Sequence, residues 1–287
     1  MSRRLIQTEC IVIDVHPLRE SDFYLTLCTK EHGLLSARAY RARNPKSPLF
    51  SLAQPWNILK VDLQVNGTHY TLEGGQRVKS FNSITSDLTR QSCAAHISRL
   101  LRDLALDITQ SETIYTLTVW ALWHLSQSDS QPEHVLYITE LRLLYITGFA
   151  PIPDPEDTEG ERYWFSFGSC VWQSQPDLRA AEGGRDLSAY GSRFRDRQSI
   201  MDASGMWMDR AVLQCLHHIA RAPYSRLFNF TASPDVYDQL KLFADRFASD
   251  CLERDYRYIN PAEQIDYSDE IAAIKAARSE EEESTRP

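Results

Sequence analysis

The polar–apolar alternation is sharpest from residue 59 to residue 66. Leu59, Val61, Leu63 and Val65 are apolar, while Lys60, Asp62, Gln64 and Asn66 are polar. That period of two predicts a strand with one buried and one wet face. Asn66-Gly67 supplies the left-handed positions of a tight turn, so a hairpin into His69–Leu72 is expected. Gly74-Gly75 breaks this partner, and Arg77–Phe81 resumes it. Upstream, Cys10–Val15 is a continuous run rich in β-branched residues, compatible with a buried strand that His16-Pro17 ends. Phe23–Thr29 and Leu34–Tyr40 are two further β-type runs, joined by a polar turn with Gly33, and Pro45 and Pro48 keep Asn44–Leu49 out of a ladder. Five short strands within about eighty residues fit a small closed barrel better than a sandwich.

After Ser86 the period lengthens to that of helices. Ser86-Asp87 can cap a helix whose apolar stripe is Ile97, Leu100, Leu101 and Leu104. Ile114, Leu117, Ala121 and Leu125 repeat the stripe, and Trp120 and Trp123 beside them read as core. Val135–Ile146 is apolar almost all round, which predicts a central helix, ended by Gly148 and followed by Pro151, Pro153 and Pro155. Residues 154–205 are the least regular. There Tyr163–Phe167 is expected to pair with Cys170–Trp172, ahead of a polar loop carrying Arg179, Arg185, Arg193, Arg195 and Arg197. Helices resume at Met208–Ala220 and Pro234–Cys251. The tail from Ser268 is acidic, ends in Glu280–Glu283, and reads as disordered.

These patterns divide the chain into a barrel over 1–82, a helical domain over 83–265 with an insertion at about 150–205, and a tail over 266–287. The fold class is α+β.

At 287 residues the chain is long enough for a proper core, and its net charge of −8 argues against indiscriminate coating of nucleic acid. A local basic face remains possible, because nearby charges dominate within a Debye length of roughly 8 Å. The six cysteines include no C-x-x-C pair, which indicates reduced thiols in a cytoplasmic protein. Neither a signal peptide nor a long apolar span is evident.

One segment carries candidate chemistry. Arg38, Arg41, Arg43 and Lys46 leave the third strand with Tyr40 among them and no acid between. Cations on a flexible segment displace counterions from a phosphate backbone, and an adjacent ring offers a base a stacking surface. On spacing alone such a cluster reads as a solvated loop. Catalytic motifs are missing: there is no phosphate-binding glycine loop and no nucleophile elbow. His16, Asp22 and His32 could be imagined around a metal, but nothing fixes their convergence, and scattered histidines are the better reading. His217 and His218 point about 100° apart on a helix and make no ligand face.

With these residues laid out, the chain resembles the bacterial RecO family of DNA repair proteins. The resemblance rests on Glu20-Ser21-Asp22 before Leu25-x-Leu27-x-Thr29 and Gly33, on the basic segment ending Pro45-Lys46-Ser47, on Ala53-Gln54-Pro55-Trp56, and on Glu140-Leu141-x-Leu143-Leu144 with Gly148. It implies an N-terminal OB-fold, a helical domain and an irregular insertion that binds zinc in many members. It also implies binding of single- and double-stranded DNA, strand annealing, and help in loading RecA onto DNA coated by single-stranded DNA-binding protein. RecR, often with RecF, is the implied partner, and the protein is expected to be a monomer without catalytic turnover.

Departures from the family pattern modify this. The paired cysteines after the central helix are missing and Cys170 stands alone, so no zinc or other cofactor is expected, with Tyr163, Trp164, Phe165 and Trp172 filling that space. Tyr40 replaces a glycine common in the family, and Asp255–Gln264 lacks its Lys/Arg-Ser element.

The expected DNA contacts are Arg38, Tyr40, Arg41, Arg43 and Lys46, extended by Arg77 and Lys79. A competing reading is an adaptor whose helical domain captures the acidic tail of single-stranded DNA-binding protein. An RNA-binding OB-fold is disfavoured because only Tyr24 and Tyr40 are candidate strand aromatics. A nuclease lacks its carboxylate cluster. The acidic tail could also compete with DNA for the basic loop, against the simpler reading of a solubilising end.

Overall fold

The computed structural model describes residues 4–104, 108–149, 161–173 and 205–264. The first five strands are β1 (Arg4–Leu18), β2 (Asp22–Thr29), β3 (Gly33–Ala39), β4 (Ile58–Asn66) and β5 (His69–Lys79). They close into a barrel in the order β1-β2-β3-β5-β4. Every neighbouring pair is antiparallel except β3 and β5, which run parallel through Ala37–Tyr70 and Arg38–Thr71. That closure and strand order define the OB-fold.

Alternation decides which side chains fill the barrel. Leu59, Val61 and Leu63 point inward with Leu25, Leu27, Leu35 and Leu72. On β1, Cys10 and Val12 join this interior, while Ile11 and Ile13 pack outward against the helices. Burial on both faces explains why this part of β1 reads as an unbroken apolar run.

Two strand expectations are corrected. His16-Pro17 does not end β1, which continues to Leu18 with Pro17 opposite Phe23. Beyond Ile11, β1 no longer pairs with β4, so the proline sits where one edge carries no ladder. Gly74-Gly75 does not interrupt β5 either. The register shifts between Asp62 and Leu63 and passes over Glu73, so the strand bulges and continues. A Cβ at Gly75 would lie 2.4 Å from the Lys60 carbonyl oxygen, so glycine permits this close approach of β5 to β4.

The crossover from β3 to β4, residues 40–57, sends Ala42, Leu49, Leu52 and Ala53 into the barrel core. It finishes at Trp56, whose φ is +59° and whose N–H donates to the Val12 carbonyl at 2.7 Å.

Behind the barrel lie helices α1 (Leu88–Asp103), α2 (Ser111–Leu125), α3 (Pro132–Ile146), α4 (Arg210–Arg221) and α5 (Pro234–Leu252). Asp87 caps α1 as expected, accepting from the Arg90 N–H at 2.8 Å. The stripes on α1 and α2 are buried, and α3 is buried from Val135 through Leu141 and touches the other four helices. At its end Gly148 takes φ +81°.

Strands β6 (Arg162–Ser166), β7 (Val171–Gln173) and β8 (Gly205–Asp209) form a small sheet ordered β7-β6-β8. The hairpin matches the sequence pattern, whereas β8 does not follow from it: Met208, the expected start of α4, lies in this strand. Its five residues are too few to declare a period. Phe165 is fully buried and packs on Trp172, Phe243 and Phe247 with centroids 4.6, 5.1 and 5.6 Å away. Among the described residues no three His, Cys, Asp or Glu side chains are arranged to hold a metal ion, and no helix is long and apolar enough to cross a membrane. The arginines at 179–197, most of the insertion and the tail over 266–287 lie outside the described residues.

Candidate nucleic-acid interface

The basic segment departs from β3 at the barrel end where the β1–β2 turn lies. β2 and β3 pair so that Phe23 faces Ala39 and Tyr24 faces Arg38, which brings the turn residues 19–21 beside residues 40–43. Two contacts to the turn's backbone lock them together: the Arg43 N–H donates to the Ser21 carbonyl at 3.0 Å, and the Arg43 guanidinium donates to the Arg19 carbonyl at 2.8 Å. Arg19 and Arg41 both adopt left-handed backbone conformations, with φ +57° and +55°. A non-glycine residue accepts that conformation only where its surroundings impose it.

Asp22 is what imposes it at Arg41. Its side chain is 6 % exposed and both oxygens are engaged. Oδ2 accepts from Arg38 Nη2 at 2.6 Å and Nε at 3.1 Å. Oδ1 accepts from the Arg41 backbone N–H at 2.8 Å and from the Ser21 hydroxyl at 3.0 Å. The Arg41 amide, the Arg38 guanidinium and the Ser21 hydroxyl together pull the Asp22 carboxyl down to about 2. The same bond holds the Arg38 guanidinium above its ordinary value.

Arg38 also lies over the Tyr40 ring, its Cζ 4.2 Å from the centroid. Tyr40 is 49 % exposed and Tyr24 40 %, both on the outside of the barrel. Arg41, Arg43 and Lys46 are exposed, and among the described residues none of the three is paired with a carboxylate. A turn centred on Asn44 presents them, with Lys46 N–H bonded to the Asn44 side-chain oxygen at 3.0 Å.

The structure therefore gathers Arg38 and Arg41 on one carboxylate with Tyr40 against Arg38, while Arg43 is held by the β1–β2 turn backbone and Lys46 follows at the Asn44 turn. Arg77 and Lys79 stand apart. Arg38 is level with Thr71 on β5, so Arg77 is six residues further along, roughly 20 Å. Lys79 faces Ile58, the first residue after the 40–57 crossover, so the crossover spans the gap between the two groups. Sequence reasoning misses Asp22 as the organiser, because its partners become neighbours only through the β2–β3 register.

A second surface lies in the helical half. A cleft of about 560 Å³ is lined by Trp123, His124, His134, Phe228, Phe230 and Tyr237, among others. Trp123 is 42 % exposed at this cleft, so the expectation that it belongs to the core does not hold. Burial keeps both imidazoles below their ordinary value. Among the described residues the lining includes Asp129 and no Lys or Arg.

A closed OB barrel that carries exposed cations and tyrosines on one side, with a helical bundle packed behind it, defines the class as an OB-fold protein with an appended helical domain. Residues 1–81 match the family model of the recombination protein O N-terminal domain, and residues 85–257 match that of its C-terminal domain. The chain belongs to the recombination protein O (RecO) family. It is 26 % identical over 265 residues to the DNA repair protein RecO of Acetivibrio thermocellus, covering 91 % of this chain and 97 % of that one. Identity to the DNA repair protein RecO of Caldanaerobacter subterraneus is 22 % over 255 residues, covering 88 % and 96 % of the two chains. The Symbiobacterium thermophilum DNA repair protein RecO is 29 % identical over 147 residues, 51 % of this chain and 58 % of its own.

Proposed function

We propose that the chain is a recombination mediator in DNA repair that binds single- and double-stranded DNA, anneals complementary strands and assists RecA loading on DNA coated with single-stranded DNA-binding protein. The observation that carries this reading is the loop fixed by Asp22, with Arg41, Arg43 and Lys46 exposed and unpaired beside Tyr40. These cations neutralise successive phosphates and release their counterions. Tyr40, and Tyr24 near it, offer rings to unstacked bases. Two strands held with charge screened and bases outward meet at a high effective concentration, which speeds pairing without any bond chemistry. The protein works as a binder and not an enzyme, as a monomer, in the cytoplasm at the nucleoid, with RecR and in some settings RecF as partners.

The test is Arg41→Glu with Arg43→Glu. Binding to a labelled oligonucleotide should weaken, and its log–log salt slope should flatten by about 0.7 for each phosphate that is no longer neutralised. Annealing of complementary oligonucleotides coated by the cognate single-stranded DNA-binding protein should slow in parallel. Unchanged affinity removes the basic loop from the account.

The adaptor reading, in which the helical half captures the acidic tail of single-stranded DNA-binding protein, gains little from the aromatic cleft. Among the described residues its lining offers that tail no cation and includes Asp129. Comparing binding to naked oligonucleotide with binding to tail peptide separates the two.

A further inference from the structure

We infer that Asp22 and Arg38 are positioning residues for single-strand recognition, so that a negative charge inside the basic face strengthens DNA binding. This rests on the reading of the basic loop as the DNA contact and adds to it a division of labour.

Arg38 is the cation of the cluster least able to serve phosphate. Its Nε and Nη2 both donate to Asp22 Oδ2, and its side chain is only 25 % exposed. Its guanidinium carbon instead lies over the Tyr40 ring, 4.2 Å from the centroid. A planar guanidinium fixed by a carboxylate is a rigid platform. It covers one face of Tyr40, which is still 49 % exposed and so retains surface for a base to stack on. Oδ1 of the same carboxylate holds the Arg41 amide in the left-handed turn that starts the phosphate-binding run. One carboxylate thus sets the ring for the base and the backbone for the phosphate clamp. The ring is open only to unpaired bases, whereas the clamp serves single strands and duplex alike.

The sign of the effect discriminates. If Asp22 were merely an acid near a basic patch, removing its charge would tighten binding of any polyanion. If it positions the loop, removing it weakens binding. Three variants of the full chain, Asp22→Asn, Arg38→Lys and Tyr40→Ala, are compared by fluorescence anisotropy on a labelled dT oligonucleotide and on a blunt duplex of equal length. Arg38→Lys keeps the charge and an ion pair but removes the flat platform, so it should lower single-strand affinity by about fivefold to tenfold and duplex affinity by less than about twofold. Tyr40→Ala should show the same split, and Asp22→Asn should weaken both ligands.

Tighter binding by Asp22→Asn overturns the inference, as does an equal fall on both ligands for Arg38→Lys. Should Asp22→Asn fail to fold by circular dichroism, the Arg38→Lys split decides alone. Failure of the underlying reading looks different: Arg41→Glu with Arg43→Glu would then leave both affinities unchanged.

Discussion

Glu140 on α3 and His96 on α1 face each other inside the helical half, with Oε2 3.7 Å from Nε2 and the glutamate fully shut off from water. That separation is too long for a hydrogen bond, and both Glu140 oxygens and His96 Nε2 lack a hydrogen-bond partner among the described residues. Burial pushes the Glu140 carboxyl well above its usual range, with the Asp245 charge adding to the shift, while burial and then Arg99 lower the His96 imidazole to about 4. Around them, the Tyr256 and Tyr258 rings stand nearly perpendicular to His96, with centroids 5.9 and 5.7 Å away. A neutral acid facing a neutral imidazole is the state that such burial favours.

The first expected outcome follows from that state. A carboxyl whose folded value is raised contributes stability that is complete below its unfolded value, 4.5, and lost as pH rises through the folded value. Glu140→Gln removes this loss while keeping the shape. Its unfolding midpoint should match the parent near pH 4.5 and exceed it by a few degrees at pH 8, in calorimetric scans across that range. A midpoint lower than the parent at pH 8 would mean that the carboxylate is charged and needed.

Trp56 ties the barrel to the bundle. It is 7 % exposed, and its indole N–H donates to the Ser98 hydroxyl on α1 at 3.2 Å. Trp56→Ala should cost about 3–5 kcal/mol in urea unfolding, from forfeited packing and the cavity left behind. Trp56→Phe should cost only about 1 kcal/mol, since Ser98 keeps its bond to the Ala94 carbonyl.

Arg77 and Lys79 test how far the DNA path runs. If a strand follows the crossover from Lys46 toward Ile58, Arg77→Glu with Lys79→Glu should lower the single-strand salt slope by about 1.4, two phosphates' worth. A short oligonucleotide of about five nucleotides, bound only at the Asp22 end, should not notice the change. An equal effect on short and long oligonucleotides would place these residues inside the first binding patch instead.

How much of this can be read from the chain depends on how local each signal is. The β4 face is legible because Leu59, Val61 and Leu63 alternate within one strand, and α3 because its apolar residues crowd a single helix. The basic residues are legible as a cluster in sequence. Their arrangement is not: Asp22 meets Arg38 sixteen positions away, and only the β2–β3 register sets that pairing. Glu140 is visible as part of a motif, yet its partner His96 comes from another helix, and no spacing rule links them. Pro17 and Gly74-Gly75 mislead for the complementary reason. Their local preferences say break, and the barrel tolerates them where a strand edge is open or a bulge absorbs the extra residue.

The order β7-β6-β8 has a practical corollary. Because β7 and β8 flank the same strand, the chain leaves the sheet at Gln173 and re-enters it at Gly205 with its two anchor points roughly 10 Å apart. A side chain added at Gly205 would come within 2.4 Å of the Trp164 ring and 2.5 Å of the Phe165 carbonyl oxygen, so the re-entry point admits only glycine. Gly205→Ala should therefore lower the unfolding midpoint, and an unchanged midpoint would show that the small sheet yields at that edge.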